Sequence, residues 1–502
     1  MPDSRVPKPG PPRAWWALPS AIVTLGLALR LYHLNYESVW FDEIFSLSVS
    51  RQTIGEMYPA LVKDFVHPPL HYFLLHFWFK LVGFGPYQGR LLSVVFGTLA
   101  IAATYLLGEY LFGRRAASVA ALLLAVSQLG VMYSQEARPY ALLLFLVPCC
   151  SYLFLLALRT GRAGPWWGFV CTAILVVYTH YYGAFAIAAL LVFAALYHKR
   201  YRIPVSRWIG GVALALALYL PWLSSGIIDE WLHSHKGFMV PSTDLPNLRW
   251  WTFLTYFNTF NNGRTLGLLT SFPWWTFPLG GVLFSMPALL ALGPLVQESP
   301  DGSSEPSLRE NVWFVVFLFL IPLAAALALA GMISQAYGVR LIVFVIVPYY
   351  LLVACGISRL GHVALRATVV AVCLGYSVYA LRANYFVPYK EDYRGAYAYL
   401  AQGHQTGDCL VVMPRYEERQ ARWAWAIYED SQPSLATISI DRAASRDEGC
   451  SRVWLISVVH QLTPFAIQQS KAARQILERD HVRTDARHYF WIDLDLYVPK
   501  GR

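Results

Sequence analysis

The chain has 502 residues, of which 56% are hydrophobic and only 14% are charged. A soluble protein of this length carries nearer to a quarter charged residues, so the composition argues against a soluble globular domain. The formal net charge of +10 does not indicate nucleic-acid binding, because the cytoplasmic loops of membrane proteins are normally basic.

Runs of about twenty apolar residues recur along the chain, long enough for helices that cross a hydrocarbon core of about 30 Å. They predict a polytopic α-helical membrane protein with about eleven transmembrane helices. Residues 1–14 form a short basic tail, and we expect the first span to be retained, because no convincing cleavage site follows it. The predicted spans are 15–33, 90–112, 115–133, 139–158, 165–182, 183–197, 208–225, 266–295, 311–331, 340–356 and 364–382.

Connectors with clustered basic residues alternate with connectors that lack them. The positive-inside rule then places the N-terminus in the cytoplasm and, after eleven spans, the C-terminus outside. The segment His67–Gly83 is apolar, but a crossing there would put the later arginine pairs outside. We therefore predict one long external loop over 34–89, with helices that lie in the interface. The basic clusters are Arg5/Lys8/Arg13, Arg114/Arg115, Arg159/Arg162, Lys199/Arg200/Arg202/Arg207 and Arg359/Arg366.

Composition changes after the last span, so a membrane domain over 15–384 is followed by a charged region, 385–502. Apolar runs alternate there with helical patterns, which predicts a small α/β domain outside the membrane. One flexible linker is predicted, at Gln297–Glu310. The predicted strands are 409–413, 453–458 and 489–497, and the predicted helices are 393–402, 417–429 and 464–478.

Only two of the seven cysteines, Cys409 and Cys450, lie in this C-terminal region. Each precedes or opens a predicted strand, and the starts of neighbouring parallel strands meet at one edge of a sheet. In an oxidising compartment this predicts a Cys409–Cys450 disulfide. Two separate buried thiols are the alternative.

Polar clusters recur at the outer side of the predicted membrane. Asp42 and Glu43 are adjacent in the external loop, where His67 follows. Each cluster also has a structural explanation: a solvated acid pair, a proline-started helix, a snorkelling arginine or an interfacial aromatic belt. Five such clusters at one membrane level nevertheless favour a functional site. The remaining clusters are Tyr133–Tyr140 with Arg138, Thr179–Tyr182 with His180, and Tyr337 with Arg340.

These residue types suit transfer of a group that is carried on a lipid phosphate. A carboxylate can act as a general base toward a hydroxyl, and arginines bind phosphate through paired N–H groups. The phosphodiester leaving group is a weak base, so it requires stabilisation of negative charge and not a general acid.

The chain resembles GT-C membrane glycosyltransferases, most closely family 39 and its bacterial relatives: protein O-mannosyltransferases and the aminoarabinose transferase that acts on lipid A. The resemblance is strong over 15–200 and weaker through 340–400, where Tyr389–Ala396 is similar to a junction in bacterial members. A repeat-type sugar-recognition domain found in eukaryotic protein mannosyltransferases is missing, which argues against protein O-mannosylation. The motifs are Trp40-Phe-Asp-Glu43, His67-Pro-Pro-Leu70, Gly89-Arg-Leu-Leu-Ser93 and Tyr133-Ser-Gln-Glu-Ala-Arg138.

The resemblance implies that Asp42 is the catalytic base. Glu43 would orient the acceptor or tune that base, because two neighbouring carboxylates push their pKa values apart. The resemblance also implies that Arg90, Arg138 and Arg340 contact the donor phosphate. The other substrate-binding candidates are His67, Tyr140, His180 and Tyr337. No cofactor is certain; a divalent metal ion stays open, with Asp42, His67 and His180 as candidate ligands.

The predicted activity is therefore inverting transfer of a sugar from a polyprenyl-phosphate donor to an acceptor hydroxyl at the periplasmic face of a bacterial inner membrane. The acceptor is a lipid, a glycan or a protein. Two alternatives remain. A lipid-linked-sugar flippase predicts charges at the bilayer midplane and repeated halves, whereas a non-catalytic envelope scaffold predicts that Asp42 is dispensable.

Overall fold

The computed structural model describes residues 16–201, 204–230, 232, 259–261, 276–296, 307–330, 339–429, 436–444, 450–459 and 464–501. The chain divides into two compact units. The first contains 1–32, 58–71 and 91–384, and the second contains 33–57, 72–90 and 385–502. The second unit thus takes up the predicted C-terminal domain from residue 385 onward, and it also includes two stretches of the predicted external loop.

Helices account for most of the described chain up to residue 386. Helices α2, α3 and α4 lie within the loop predicted over 34–89, and none of them reaches the length that a crossing requires. In order, the helices are α1 Ala17–Leu31, α2 Phe41–Arg51, α3 Ile54–Asp64, α4 Leu70–Val82, α5 Pro86–Phe112, α6 Arg114–Ala125, α7 Gln128–Ser134, α8 Tyr140–Thr160, α9 Ala163–Thr179, α10 Gly183–Leu196, α11 Val205–Trp222, α12 Thr276–Ala291, α13 Gly293–Val296, α14 Leu308–Ala330, α15 Ile346–Ser358 and α16 Val363–Phe386.

Six of the described helices are long and apolar enough to cross a membrane, and the bent pair α6–α7 would make a seventh. Shorter apolar helices, among them α1, α9 and α10, coincide with other predicted spans. The predicted fold class, a polytopic α-helical membrane protein, is confirmed, whereas the number of eleven spans is not. Helix α4 has 13 residues and is about 20 Å long, too short to cross the hydrocarbon core.

The span predicted over 115–133 is broken. Helix α6 ends at Ala125, and α7 starts at Gln128 with a bend of 58°. Ser127 supplies the N-cap of α7, because its side chain accepts a hydrogen bond from the Gly130 N–H at 3.2 Å. The Ser127 cap thus stabilises the start of a helix in the middle of an apolar run.

The C-terminal part of the second unit is a five-stranded sheet in the order β2-β1-β3-β5-β4. Strands β1, β2 and β3 run parallel, whereas β5 pairs antiparallel with both β3 and β4. The strands are β1 Asp408–Met413, β2 Ala436–Thr437, β3 Arg452–Val458, β4 His481–Tyr489 and β5 Ile492–Pro499; the helices are α17 Tyr393–Gly403, α18 Glu418–Tyr428, α19 Ile440–Ala444 and α20 Pro464–Asp480.

The α/β character agrees with the sequence prediction, but the strand predicted over 489–497 is wrong in its extent. The chain turns at Phe490 and Trp491, where Trp491 has a φ of 58°, and the run is divided between β4 and β5. Strand β4 was missed because most of its residues are polar and exposed, as is typical of a sheet edge.

The predicted disulfide is confirmed. Cys409 and Cys450 are bridged, with their Cα atoms 5.7 Å apart. Cys409 is the second residue of β1, and Cys450 precedes β3, which pairs with β1 in parallel register. The remaining five cysteines are free thiols.

Candidate active site

Helix α2 carries the two acidic residues of the predicted site. Asp42 and Glu43 lie in its first turn, where carboxylates interact favourably with the helix dipole. Successive helical residues point about 100° apart, so the two side chains face different surroundings. Glu43 is completely buried, whereas Asp42 remains partly exposed.

The Glu43 carboxylate is held between two buried cations. Arg90 Nε donates to Oε1 and Arg90 Nη2 donates to Oε2, each at 2.8 Å, and Lys390 Nζ donates to Oε2 at 2.9 Å. This paired geometry is the strong form of an arginine–carboxylate contact. Glu43 thereby fixes the first turn of α2, next to Asp42.

Arg90 uses all five of its N–H groups within the second unit. Besides the two bonds to Glu43, it donates to the backbone carbonyls of Leu34, Glu37 and Ser38 at 2.8–3.0 Å. A guanidinium has five N–H donors in total. In this arrangement Arg90 has no donor left for a phosphate, so these contacts do not support its predicted role at the donor. They give it a structural task at the entry to α2.

Residues from the C-terminal part of the second unit hold the segment before α2. The Val39 N–H donates to Tyr428 Oη at 2.7 Å, and Ser38 Oγ lies 3.0 Å from the same hydroxyl. Arg394 donates to the Glu37 carbonyl at 3.0 Å, and its own N–H donates to Ser38 Oγ at 3.1 Å. Burial raises the pKa of the nearby Glu37 carboxyl, although Lys390 and Arg90 act in the opposite direction.

The sequence analysis did not select Lys390, Arg394 or Tyr428. Lys390 and Arg394 belong to the stretch Tyr389–Ala396, which was noted only for its similarity to a junction in bacterial relatives. That stretch could have identified them, because its charges directly follow the last span. Tyr428 had no comparable signal.

The first unit brings a second set of predicted residues together: His67, Arg138, Tyr140 and His180. Arg138 Nη2 lies 3.3 Å from His67 Nδ1 and 3.4 Å from His67 Nε2. The rings of His67 and His180 are 5.1 Å apart, and the Arg138 guanidinium is 5.8 Å from the Tyr140 ring. All four residues are at most 3% exposed. We call this set the Arg138 cluster.

Two histidines of the external loop, His67 and the neighbouring His71, are neutral at physiological pH. Burial and the charges of Arg138 and Arg340, together with His180 and His71, place the pKa of His67 well below its ordinary value. Burial and Arg138 lower the pKa of the neighbouring His71 to about 3, despite a backbone hydrogen bond that raises it. Positive charge therefore surrounds His67.

His180 presents one unsatisfied donor in this buried cluster. Its Nδ1 accepts a hydrogen bond from the Tyr182 N–H at 3.1 Å, so the proton of the neutral ring is on Nε2. That Nε2 is buried and has no hydrogen-bond partner within the described chain. A buried donor without a partner costs about 1–3 kcal/mol, which an acceptor atom of a ligand would offset.

The other predicted site residues are placed as follows. Arg340 lies in the 3-10 turn Val339–Val345 before α15 and is partly exposed, and its charge acts on His67 and His180. Tyr337 lies outside the described residues. Asp42, Glu43 and Arg90 belong to the second unit, whereas His67, Arg138, Tyr140, His180 and Arg340 belong to the first.

A metal site is not evident in the described part of the chain, where no group of three or more His, Cys, Asp or Glu side chains is arranged to hold an ion. The metal ligation proposed for Asp42, His67 and His180 therefore stays a prediction.

The sequence was compared with family models and with curated proteins. Residues 66–224 match the family model of dolichyl-phosphate-mannose-protein mannosyltransferases. No curated protein sequence matches the chain.

Two solved structures are similar over most of the chain. The archaeal oligosaccharyltransferase AglB from Archaeoglobus fulgidus, in complex with an inhibitory peptide and a dolichol-phosphate, has 12% identity and a TM-score of 0.50, over 93% of this chain and 73% of AglB. ArnT from Cupriavidus metallidurans, bound to undecaprenyl phosphate, has 14% identity and a TM-score of 0.47, over 97% of this chain and 98% of ArnT. The chain is thus a polytopic membrane protein with the GT-C fold, and its resemblance to the family 39 type is confirmed.

Proposed function

We propose that this protein is a glycosyltransferase of the bacterial inner membrane that takes its sugar from a polyprenyl-phosphate donor. It passes the sugar to an acceptor hydroxyl at the periplasmic face, with inversion at the anomeric carbon. The observation that carries the proposal is the Arg138 cluster, where a buried arginine lies against neutral imidazoles.

The Arg138 cluster has the chemistry of a phosphate site. Arg138 places a guanidinium, a planar group whose paired N–H donors match phosphate oxygens, in this buried cluster. The unsatisfied Nε2–H of His180 supplies a donor to a phosphate oxygen. Neutral imidazoles next to an arginine provide hydrogen bonds without adding charge repulsion.

In the proposed reaction the acceptor oxygen attacks the anomeric carbon of the donor sugar. The bond between that carbon and the phosphate oxygen breaks, and polyprenyl phosphate leaves with an additional negative charge. Arg138 and the His180 N–H stabilise this charge where it develops. Asp42 accepts the proton of the acceptor hydroxyl, so no proton needs to reach the leaving group.

Glu43 receives a different role from the one predicted from its position beside Asp42. Its carboxylate is already bonded to Arg90 and Lys390, so we propose that it holds the first turn of α2 in place and does not contact the acceptor. We assign proton transfer to Asp42, which is partly exposed on the same turn.

The test is a transfer assay with purified protein in detergent, using a panel of undecaprenyl-phosphate sugars and lipid A or peptide acceptors. Asp42→Asn should lower the transfer rate by a factor of about 10²–10⁴, with donor binding unchanged. The control is Asp441→Asn, which alters an exposed acid of α19 in the same unit and should leave the rate unchanged.

A second variant separates donor binding from proton transfer. Arg138→Ala should weaken binding of undecaprenyl phosphate about 10-fold to 100-fold, because a hydrogen bond to a charged group contributes about 1.5–3 kcal/mol. Arg114→Ala, at an exposed arginine, is the control. Asp42→Asn protein with more than about a tenth of the wild-type rate would refute the base, and an unchanged affinity in Arg138→Ala would refute the phosphate site.

A further inference from the structure

An arginine of the first helix, outside the predicted site, is completely buried. Arg30 is the second-last residue of α1 and is 0% exposed. A charge at this depth in a membrane protein is costly, so it persists where other groups compensate it or where it has a task.

The guanidinium of Arg30 contacts both sides of the break between α6 and α7. Its Nη1 donates to the Ala125 carbonyl at 3.1 Å, and its Nη2 donates to the Leu124 carbonyl at 3.3 Å. These carbonyls lie in the last turn of α6, where a helix leaves its acceptors without intrahelical partners. Its Nε donates to Ser134 Oγ at 3.0 Å, at the last residue of α7.

The backbone at the end of α1 is bonded to the same segment. Gln135 Nε2 donates to the carbonyls of Arg30 and Tyr32 at 3.0 and 2.7 Å. Gln135 Oε1 in turn accepts a hydrogen bond from Asn384 Nδ2 at 2.9 Å. Side chain and backbone of Arg30 thus hold two consecutive residues, Ser134 and Gln135.

Arg138 follows three residues after Gln135. The intervening turn is closed by the Arg138 N–H, which donates to the Glu136 carbonyl at 2.8 Å, and α8 starts at Tyr140. The whole stretch from Ser134 to Arg138 is buried. A shift at Ser134 or Gln135 would therefore carry Arg138 away from His67.

From these contacts we propose that Arg30 is a positioning residue: by capping the α6–α7 break and binding Ser134, it sets the place of Arg138 for the donor phosphate. This inference rests on the proposed function of the Arg138 cluster. Arg30 itself would not touch the donor.

A glycine on α5 makes room for this arrangement. A Cβ added at Gly97 would lie 1.9 Å from Ser134 Oγ and 3.1 Å from Arg30 Nε, closer than atoms can approach without a shift. Gly97→Ala should therefore displace Ser134 and Arg30 while Arg30 and Arg138 both keep their charges. Gly375 in α16 is the matched control, because a Cβ there meets no atom within 4 Å.

The experiment measures the affinity for undecaprenyl phosphate and the thermal midpoint for wild type, Arg30→Lys, Ser134→Ala, Gly97→Ala, Gly375→Ala and Arg138→Ala. Arg30→Lys keeps the charge but loses the fork that joins Ser134 to the α6 carbonyls. We expect about 10-fold weaker binding by folded Arg30→Lys and Gly97→Ala protein, a smaller loss in Ser134→Ala and none in Gly375→Ala. Ser134→Ala leaves Arg30 unchanged and removes only the hydroxyl that accepts from Arg30 Nε and donates to the Gly130 carbonyl, so it remains informative where the other variants do not fold.

The outcomes separate the two proposals. If wild type binds and Arg138→Ala binds more weakly, unchanged affinity in all folded Arg30, Ser134 and Gly97 variants overturns the positioning role, even where their thermal midpoints fall. A wild type that does not bind undecaprenyl phosphate overturns the proposed function and this inference with it.

Discussion

At the scale of single residues, adjacent acids have acquired different environments. Glu43 is paired with Arg90 and Lys390 and is fully buried, whereas Asp42 keeps access to its surroundings. The single carboxylate of Glu43 thus pairs with two buried cations, Arg90 and Lys390. Removing one partner of a buried ion pair is strongly destabilising, because it leaves an uncompensated charge.

Glu43→Gln should therefore lower the thermal midpoint more than Lys390→Met. The glutamine variant leaves Arg90 and Lys390 without the Glu43 charge, at a cost of about 3–5 kcal/mol, while Lys390→Met preserves the bidentate Glu43–Arg90 pair. Thermal unfolding in detergent, followed by tryptophan fluorescence, measures the difference. An equal or larger loss in Lys390→Met would contradict the central role of Glu43.

Two buried histidines of the external loop predict how stability depends on pH. Burial lowers the pKa of His71 to about 3, and that of His67 also falls well below its ordinary value. The unfolded chain, with histidine pKa values near 6.5, then binds more protons than the folded protein at acidic pH. Stability should be complete above about pH 6.5 and should fall towards pH 3, by up to about 1.4 kcal/mol per pH unit for each histidine.

The comparison of wild type with His71→Gln isolates one of these groups. Thermal midpoints measured between pH 5 and pH 8 should depend less steeply on pH in the variant, because it lacks one of the groups that protonate on unfolding. Parallel curves would show that His71 is protonated equally in both states, contrary to its buried, neutral placement.

At the scale of elements, one acid joins several helix ends in the first unit. Glu310, in the first turn of α14, is 1% exposed. Its Oε1 accepts hydrogen bonds from Arg159 at 3.4 Å and from Tyr201, and its Oε2 forms an ion pair with Arg200 at 3.3 Å. The next residue, Asn311, donates to the Leu111 carbonyl at 2.7 Å. Glu310 was assigned to the flexible linker, yet it belongs to α14 and balances arginines of two basic connectors.

Glu310→Gln should destabilise the protein by about 3 kcal/mol or more, since Arg159 is then buried without its carboxylate partner. Glu109→Gln is the matched control, because its salt bridge with Arg114 is largely exposed and contributes at most about 1 kcal/mol. Thermal midpoints of the two variants measure the difference between their losses of stability. Equal shifts would mean that the buried position of Glu310 adds nothing.

At the scale of the whole molecule, the Cys409–Cys450 disulfide bears on the compartment in which the C-terminal domain is predicted to lie. The cysteines are 41 residues apart in the sequence, and closing a loop of that size stabilises by about 4 kcal/mol in the chain-entropy model. The bridge agrees with the external placement predicted from the charge pattern, because disulfides persist in oxidising compartments.

Replacing both cysteines by serine should lower the stability of this domain by a few kcal/mol. Non-reducing peptide mapping of protein isolated from the membrane should recover one linked peptide pair, Cys409 with Cys450. Free thiols at both positions would contradict the bridge, and would also contradict the external placement of the domain.

Much of the architecture could be predicted from local patterns. Apolar runs predicted helices long enough to cross a membrane, alternating apolar and helical patterns predicted the C-terminal sheet domain, and cysteine placement predicted the disulfide. Strand β4 could not be predicted, because an exposed edge strand has no apolar pattern. Nor could the break between α6 and α7, because the apolar run continues through it.

The sequence by itself determined the class of protein and the residue types of the site, since these depend on composition and on order along the chain. Only the tertiary structure decided which groups meet. Glu43 and Lys390 are 347 residues apart, and Arg30 and Ser134 are 104 apart. Such contacts arise when distant elements pack together, and no local periodicity records them. For this reason Arg90 was predicted to bind phosphate, although all five of its N–H groups are bonded to Glu43 and to backbone carbonyls. The contacts of Arg30 became apparent only from the packing of α1 against the α6–α7 break.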